Sequence, residues 1–397
     1  MIIKPADRTN SVSEYYFSKK LQEIEKMNQQ GPAVINLGIG APDRMPPEEA
    51  VLTLVKEAQN PANHAYQSYK GIAGLREGFA DWYKKYYEVE LEPATEIQPL
   101  AGSKEGILLL SLAFLNKGDR VLVPNPGYPT YSSASLLTEA EIVFYDLKEE
   151  NGWLPDFEQL EKMDLKRVKM MWTNYPNMPT GARASRELYE KLVEFGMKHR
   201  ILICNDNPYS FILNEERLSI LSVPDAKKCC VELNSLSKAH NMSGWRIGMI
   251  AGDAEVIANV LKVKSNMDSG MFKPLQLAAV SALAQDDAWY RQLNAEYRKR
   301  QLLAGGIFDL LGVNYDKQSG GMFLWGKVNE NWGNGERLSD YILEKARVFI
   351  TPGFIFGSNG NRYVRISLCA KQEVLKEAES RIRKSLDLNP FEHGSFC

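Results

Sequence analysis

Between Gly102 and Gly252 the chain alternates short apolar runs with helical stretches, and that rhythm leaves few folds open. The runs Val121-Leu122-Val123, Ile142-Val143-Phe144-Tyr145, the one opening at Val168, the one opening at Ile201, and Ile247 to Ala251 each predict a buried strand. Strands separated by helices pair in parallel, because the connecting helix must return over one face of the sheet. The expected class is therefore α/β, a large domain with a mostly parallel central sheet flanked by helices, followed by a smaller α+β domain. An amphipathic stretch from about Leu275 to Leu303 predicts one long bridging helix. Beyond it, Gly320 to Gly326 reads as strand-like, and Arg362-Tyr363-Val364-Arg365-Ile366-Ser367-Leu368 alternates in the same way. With 397 residues, 44% of them hydrophobic, the chain can bury more than one core. The expected division is an N-terminal arm with part of the small domain at 1–46, the large domain at 47–285 and the small domain at 286–397.

The loops that follow these runs carry the chemistry. Ser235-Leu236-Ser237-Lys238 is followed, eight residues after the lysine, by Arg246. An isolated lysine of this kind is usually a surface charge, and an ordinary ammonium is a poor nucleophile. Flanking hydroxyls and a nearby guanidinium suit a lysine that forms a Schiff base beside a phosphate. Asp206 stands just past the run Ile201-Leu202-Ile203-Cys204, at the strand end where open α/β sheets bind ligands. Gly102-Ser103-Lys104 opens a helical pattern, and a Gly-Ser start leaves backbone N–H groups available to an anion. Pro124 to Tyr131 and Trp172 to Gly181 are Pro-rich loops after two further runs. Each motif taken singly is explained as well by capping or turn chemistry.

Their order is not. G-S-x-E at Gly102, P-x-Y-P-x-Y at Pro126, P-T-G at Pro179, D-x-P-Y at Asp206, S-x-S-K at Ser235 with Arg246, and R-I-S at Arg365 together resemble the class I/II aminotransferases, from about Asn36 to Leu368. That is the pyridoxal 5′-phosphate (PLP) fold type I family. The resemblance implies that Lys238 forms the Schiff base and shuttles the proton at the substrate's Cα. It implies that Asp206 pairs with the ring nitrogen, that Tyr209 donates to the ring oxygen O3′, and that Tyr128 stacks on the ring. Gly102, Ser103, Lys104, Ser235 and Arg246 would gather the phosphate, with Tyr66 reaching the phosphate of a neighbouring subunit in a homodimer. Arg365 would clamp the substrate α-carboxylate, and Gly38 in Ile35 to Asp43 would let the backbone approach it. One position departs from the family. Where an asparagine usually precedes P-T-G and binds O3′, this chain has Met178, which cannot donate a hydrogen bond. Asn174 and Asn177 are the residues that could compensate.

The resemblance implies transamination of an L-amino acid with a 2-oxo acid, 2-oxoglutarate being the expected acceptor, with a PLP-dependent C–S β-lyase as the alternative on the same fold. A PLP-fold transcriptional regulator is disfavoured, since about 35 residues before the first motif is short for a DNA-binding module. Gly38-Ile39-Gly40 is no dinucleotide fingerprint, because position 43 is Asp rather than a third glycine. A net charge of −2 offers no general attraction to nucleic acid or anionic membrane, so small molecules are the expected partners. Five cysteines (Cys204, Cys229, Cys230, Cys369, Cys397) without a C-x-x-C pair, and scattered His64, His199, His240 and His393, support no metal site. Adjacent Cys229 and Cys230 read as small buried thiols. No signal-like apolar segment opens the chain, and no run reaches membrane-spanning length, so a cytoplasmic protein is expected. Aromatic residues Tyr15, Tyr16, Phe17, Tyr128, Tyr131, Phe354 and Phe356 suit either packing or an aromatic or thioether substrate.

Overall fold

The computed structural model describes residues 3–14 and 16–388; Tyr15, His393 and Cys397 lie outside them. The large sheet has seven strands: β1 (Ile97–Leu100), β2 (Arg120–Asn125), β3 (Glu141–Asp146), β4 (Val168–Thr173), β5 (Leu202–Asp206), β6 (Cys230–Ser235) and β7 (Gly248–Gly252). Their order is β1-β7-β6-β5-β4-β2-β3. Strands β2 to β6 pair in parallel, while β7 runs antiparallel to both β6 and β1. Strands β1, β6 and β7 are buried along their whole length, as strands covered on both faces must be.

Each apolar run named above lies in one of these strands. Strands β1 and β6 escape the periodicity because they carry polar residues inside. Glu232, in the middle of β6, is fully buried. Its carboxylate accepts from Tyr83 Oη, Ser219 Oγ and Asn205 Nδ2, each at 2.8 Å, and from the Ile220 N–H at 3.1 Å. A buried charge with four donors is tolerated where a bare one would not be.

The small sheet comprises β8 (Asn314–Tyr315), β9 (Phe323–Lys327), β10 (Thr351–Pro352) and β11 (Tyr363–Ser367), antiparallel in the order β10-β11-β9-β8. The N-terminal arm forms a separate two-stranded sheet beside it, Ile35–Asn36 pairing in parallel with Val348–Phe349, and the Leu37 carbonyl accepts from Ser367 N at 2.7 Å. The described cysteines are buried and free, and Cys229 and Cys230 hold their sulfurs 3.7 Å apart.

The single long helix expected from Leu275 to Leu303 is in fact two, Lys273–Leu283 and Asp287–Leu310. The break is a capping event. The Asp286 carboxylate accepts from Ala288 N at 2.8 Å and Trp289 N at 3.4 Å, taking up donors that a new helix start leaves unsatisfied. The first helix packs on the large-domain helices Glu48–Ala58 and Ala73–Tyr87, and the second on the C-terminal helix Gln372–Leu388. The redirected chain thus leaves one core for the other. Asp286→Ala should lower unfolding stability by about 1 kcal/mol in a denaturant titration. A loss indistinguishable from zero would show that packing alone bends the chain there.

Candidate active site

Loops at the carboxyl ends of β2, β4, β5 and β6 converge with β11 and the N-terminal arm around a cavity of about 380 Å³. Lys238 sits on a short helix, Leu236–Ala239, that begins directly where β6 ends. The Ser235 hydroxyl caps that helix, accepting from Ser237 N at 3.0 Å and donating to Ser237 Oγ at 2.8 Å. Half-buried, Lys238 donates from Nζ to the Gly40 carbonyl at 2.6 Å. Burial lowers its pKa, and the guanidiniums of Arg365 and Arg246 act in the same direction. Both effects raise the fraction of free amine, the nucleophilic form.

Asp206 closes β5. Its Oδ2 accepts from Tyr131 Oη at 2.9 Å, while Oδ1 is buried and has no partner among the described residues. Tyr131 is itself held, stacked on Trp172 with centroids 4.9 Å apart and planes within 4°. The Asp206 carbonyl accepts from Asn174 Nδ2 at 2.5 Å. Burial pushes the Asp206 carboxyl up to about 7, against the pull of the Tyr131 hydrogen bond. An orphaned carboxylate oxygen lining a cavity is a seat for a cationic N–H, such as a protonated pyridine.

One end of the cavity is built for an anion. Gly102 turns the chain into helix Ser103–Phe114 at φ +84°, with no side chain capping the first N–H groups. A Cβ at Gly102 would also strike the Arg246 guanidinium, so both conformation and space call for glycine. Arg246 is anchored by donating to Ser243 O at 2.9 Å and Ala101 O at 3.5 Å. Ser103, Lys104, Ser235, Ser237 and Arg246 line this end together. Burial and the adjacent Arg246 lower the Lys104 pKa. Helix N–H groups, hydroxyls and a forked cation are the donors a phosphate needs.

Arg365, in β11, stands in the same cavity. Its Nη2 donates to the Gly38 carbonyl at 2.7 Å and its Nη1 lies 3.1 Å from Met178 Sδ. The guanidinium stacks 3.9 Å from the Phe323 ring centroid and 4.6 Å from that of Phe356. A side chain at Gly38 would come within 2.8 Å of Thr351 Oγ1, so the close backbone approach is real. Met178, the departure from the family pattern, thus packs against this arginine.

Gly38, Ser103, Lys104, Tyr128, Asn174, Asp206, Tyr209, Ser235, Lys238, Arg246 and Arg365 are brought together as lining, whereas Gly102, Asn177 and Tyr66 are not. Gly102 shapes the turn from behind. Asn177 is spent on its own loop: it donates to Asn174 O at 3.1 Å and accepts from Thr180 Oγ1 at 2.8 Å. Tyr66 is 90% exposed and does not reach the cavity of its own chain. Sequence reasoning missed Tyr131 as the partner of Asp206, and Ser243 and Phe323 as lining. Tyr131 was visible as the second tyrosine of P-x-Y-P-x-Y, but its bond to Asp206 joins loops two strands apart. Among the described residues no His/Cys/Asp/Glu group could hold a metal, and no helix is long and apolar enough to cross a membrane.

Comparison with known proteins agrees with this geometry. The family profile described as aminotransferase class I and II matches residues 32–382. An LL-diaminopimelate aminotransferase of Nitratidesulfovibrio vulgaris is 40% identical, covering 96% of this chain and 98% of its own. Transaminase BacF of Bacillus subtilis is 39% identical over 97% of each chain. The substrate-bound structure of BacF superposes with a TM-score of 0.91 at 38% identity, covering 97% of this chain and 98% of that one. Thermus thermophilus aspartate aminotransferase with maleate gives 0.90 at 25% identity, covering 97% of this chain and all of the other.

Asp206 keeps its proton to about pH 7 in the folded, cofactor-free protein, but only through the ordinary carboxylate range once unfolded. Between those limits the folded state binds the extra proton, so this group's contribution to stability falls as pH rises, by at most roughly 1.4 kcal/mol per pH unit. Asp206→Asn removes that dependence. Its melting temperature, relative to cofactor-free wild type, should climb as pH is raised through this window. A difference that stays flat with pH would show that Asp206 titrates normally.

Proposed function

Because the chain belongs to aminotransferase class I and II, we propose that it moves the amino group of an L-amino acid to a 2-oxo acid, 2-oxoglutarate being the acceptor, with Lys238 as the reactive amine. The observation that carries this reading is the tripeptide Gly38-Ile39-Gly40, whose terminal carbonyls hold two of the cavity's cations, Arg365 and Lys238. A carboxylate on the arginine therefore leaves the neighbouring amino group close to the lysine.

PLP, the cofactor of this family, supplies an aldehyde that captures the amino group and an electron-drawing ring that makes the Cα proton labile. This chain's residues do the rest. Ser103, Lys104, Ser235 and Arg246 bind the phosphate. Asp206 Oδ1 holds a proton at the ring nitrogen and so keeps the ring cationic. Tyr128 and Tyr209 orient the ring; burial and the Asp206 charge raise both phenol pKa values, so each remains a hydrogen-bond donor. Lys238 Nζ, released from Gly40, would take the substrate's Cα proton. Arg365 orients the α-carboxylate. Met178 offers no hydrogen bond to the ring oxygen, and Asn174 has one amide hydrogen left after serving Asp206.

Relatives named LL-diaminopimelate aminotransferase support LL-diaminopimelate as the donor. The aromatic wall of Phe17, Phe323 and Phe356 favours apolar donors as the second choice. Tyr66, Met45, Leu52 and Val55, all exposed on the single chain, support a homodimer in which a second copy covers them.

Given donor alone, the enzyme should release one equivalent of 2-oxo acid per site and no ammonia. Continuous release of pyruvate and ammonia from a cysteine thioether would instead establish the lyase. Lys238→Ala should lower kcat by at least ~10³-fold. Arg365→Ala should lower kcat/KM roughly 10- to 100-fold, mostly through KM, with cofactor affinity little changed. Loss of cofactor in the Arg365 variant would place that guanidinium on the wrong ligand.

A further inference from the structure

The amine of Lys264 takes part in none of these steps, yet its side chain is only 1% exposed at the end of helix Ala254–Lys264. Removing an ammonium from water costs several kcal/mol unless partners replace the solvent. Two carboxylates do so here. Nζ donates to Glu105 Oε1 at 2.9 Å and to Asp268 Oδ2. The second oxygen of Glu105 accepts the Ala101 N–H at 2.6 Å. Ala101 precedes Gly102, and Glu105 lies in the first turn of the helix whose start forms the anion-binding end of the cavity. Lys264 thus grips that turn from behind. On its other side Asp268 accepts from Gly270 N at 3.2 Å, and Gly270 packs against the carbonyls of Gln67 and Ser68, beside Tyr66.

This wiring answers an electrostatic difficulty. Glu105 places a negative charge within one turn of N–H groups offered to a phosphate that itself carries close to two negative charges. Uncompensated, that carboxylate would repel the ligand, and the same repulsion would drive it away from Ala101 toward solvent. We propose that Lys264 is a positioning residue for the phosphate site: its ammonium, shared with Asp268, offsets part of the Glu105 charge while holding the carboxylate on the Ala101 N–H. The proposal rests on the reading of the cavity's anion end as the PLP phosphate site.

Inorganic phosphate, titrated calorimetrically into full-length protein freed of PLP, tests it without any turnover. Lys264→Met should weaken phosphate by about tenfold or more, and Lys264→Met/Glu105→Gln should recover most of that loss, because an amide oxygen still accepts from Ala101 and carries no charge. Re-binding of PLP, followed by fluorescence, should move in parallel. A folded Lys264→Met protein with wild-type phosphate affinity, or a double variant no better than the single one, overturns the proposal. Should Lys264→Met fail to fold, Glu105→Gln alone decides: with the lysine's charge retained it should bind phosphate at least as tightly as wild type, and weaker binding refutes the charge argument. Wild-type protein that ignores phosphate altogether would instead overturn the phosphate-site reading itself.

Discussion

A carboxylate with one oxygen committed and the other withheld is the constraint around which this molecule is arranged. Asp206 is buried deeply enough to hold its proton to about neutrality, so it is costly to keep unless something cationic completes it. Tyr131 takes one oxygen and Trp172 fixes Tyr131, which leaves Oδ1 aimed at the cavity. Asn174 secures the Asp206 backbone through its amide nitrogen, while its amide oxygen accepts the Met178 N–H at 2.7 Å. The loop that shapes one wall of the cavity is thereby tied to the acid at its base. Folding stability is surrendered at this point in exchange for a site prepared to accept a cationic ring.

The two ends of the cavity solve opposite problems. At the anion end, donors are crowded together and kept apart from one another by carbonyl anchors, as with Arg246 on Ser243 and Ala101. At the arginine end, a guanidinium is surrounded by Phe323, Phe356 and a thioether, partners that stabilise charge without neutralising it. Under the proposed function, a substrate carboxylate arriving there would meet a cation with little competing solvation. The N-terminal arm supplies the carbonyls that hold both Arg365 and Lys238, which explains why a segment so far from the central sheet in sequence belongs to the site.

Much of this was readable from residues alone, for an identifiable reason. Strand-end loops in α/β sheets carry compact polar motifs, so Lys238, Asp206, Ser103 and Arg246 announce themselves by spacing. What stayed hidden depends on which strands become neighbours. The Tyr131–Asp206 bond crosses two strands, and no local pattern reports that β2 lies two places from β5. Strand β6 was obscured by Glu232 and Asn234, polar residues that only their partners justify. Asn177 looked like a ligand donor because an amide near P-T-G suits that role; it bonds within its own turn and does not line the cavity. Asp286 hid a helix boundary inside an amphipathic pattern, since capping depends on one side chain and periodicity on many.

The reversed strand β7 carries a consequence of its own. Lys238 and Arg246 lie on a single excursion that leaves β6 and must return to β7 in register, with Ser235 facing Gly248 across the antiparallel pair. Both termini of that excursion are clamped by interior hydrogen bonding, so its length admits no slack. An insertion here would displace Lys238 and Arg246 together.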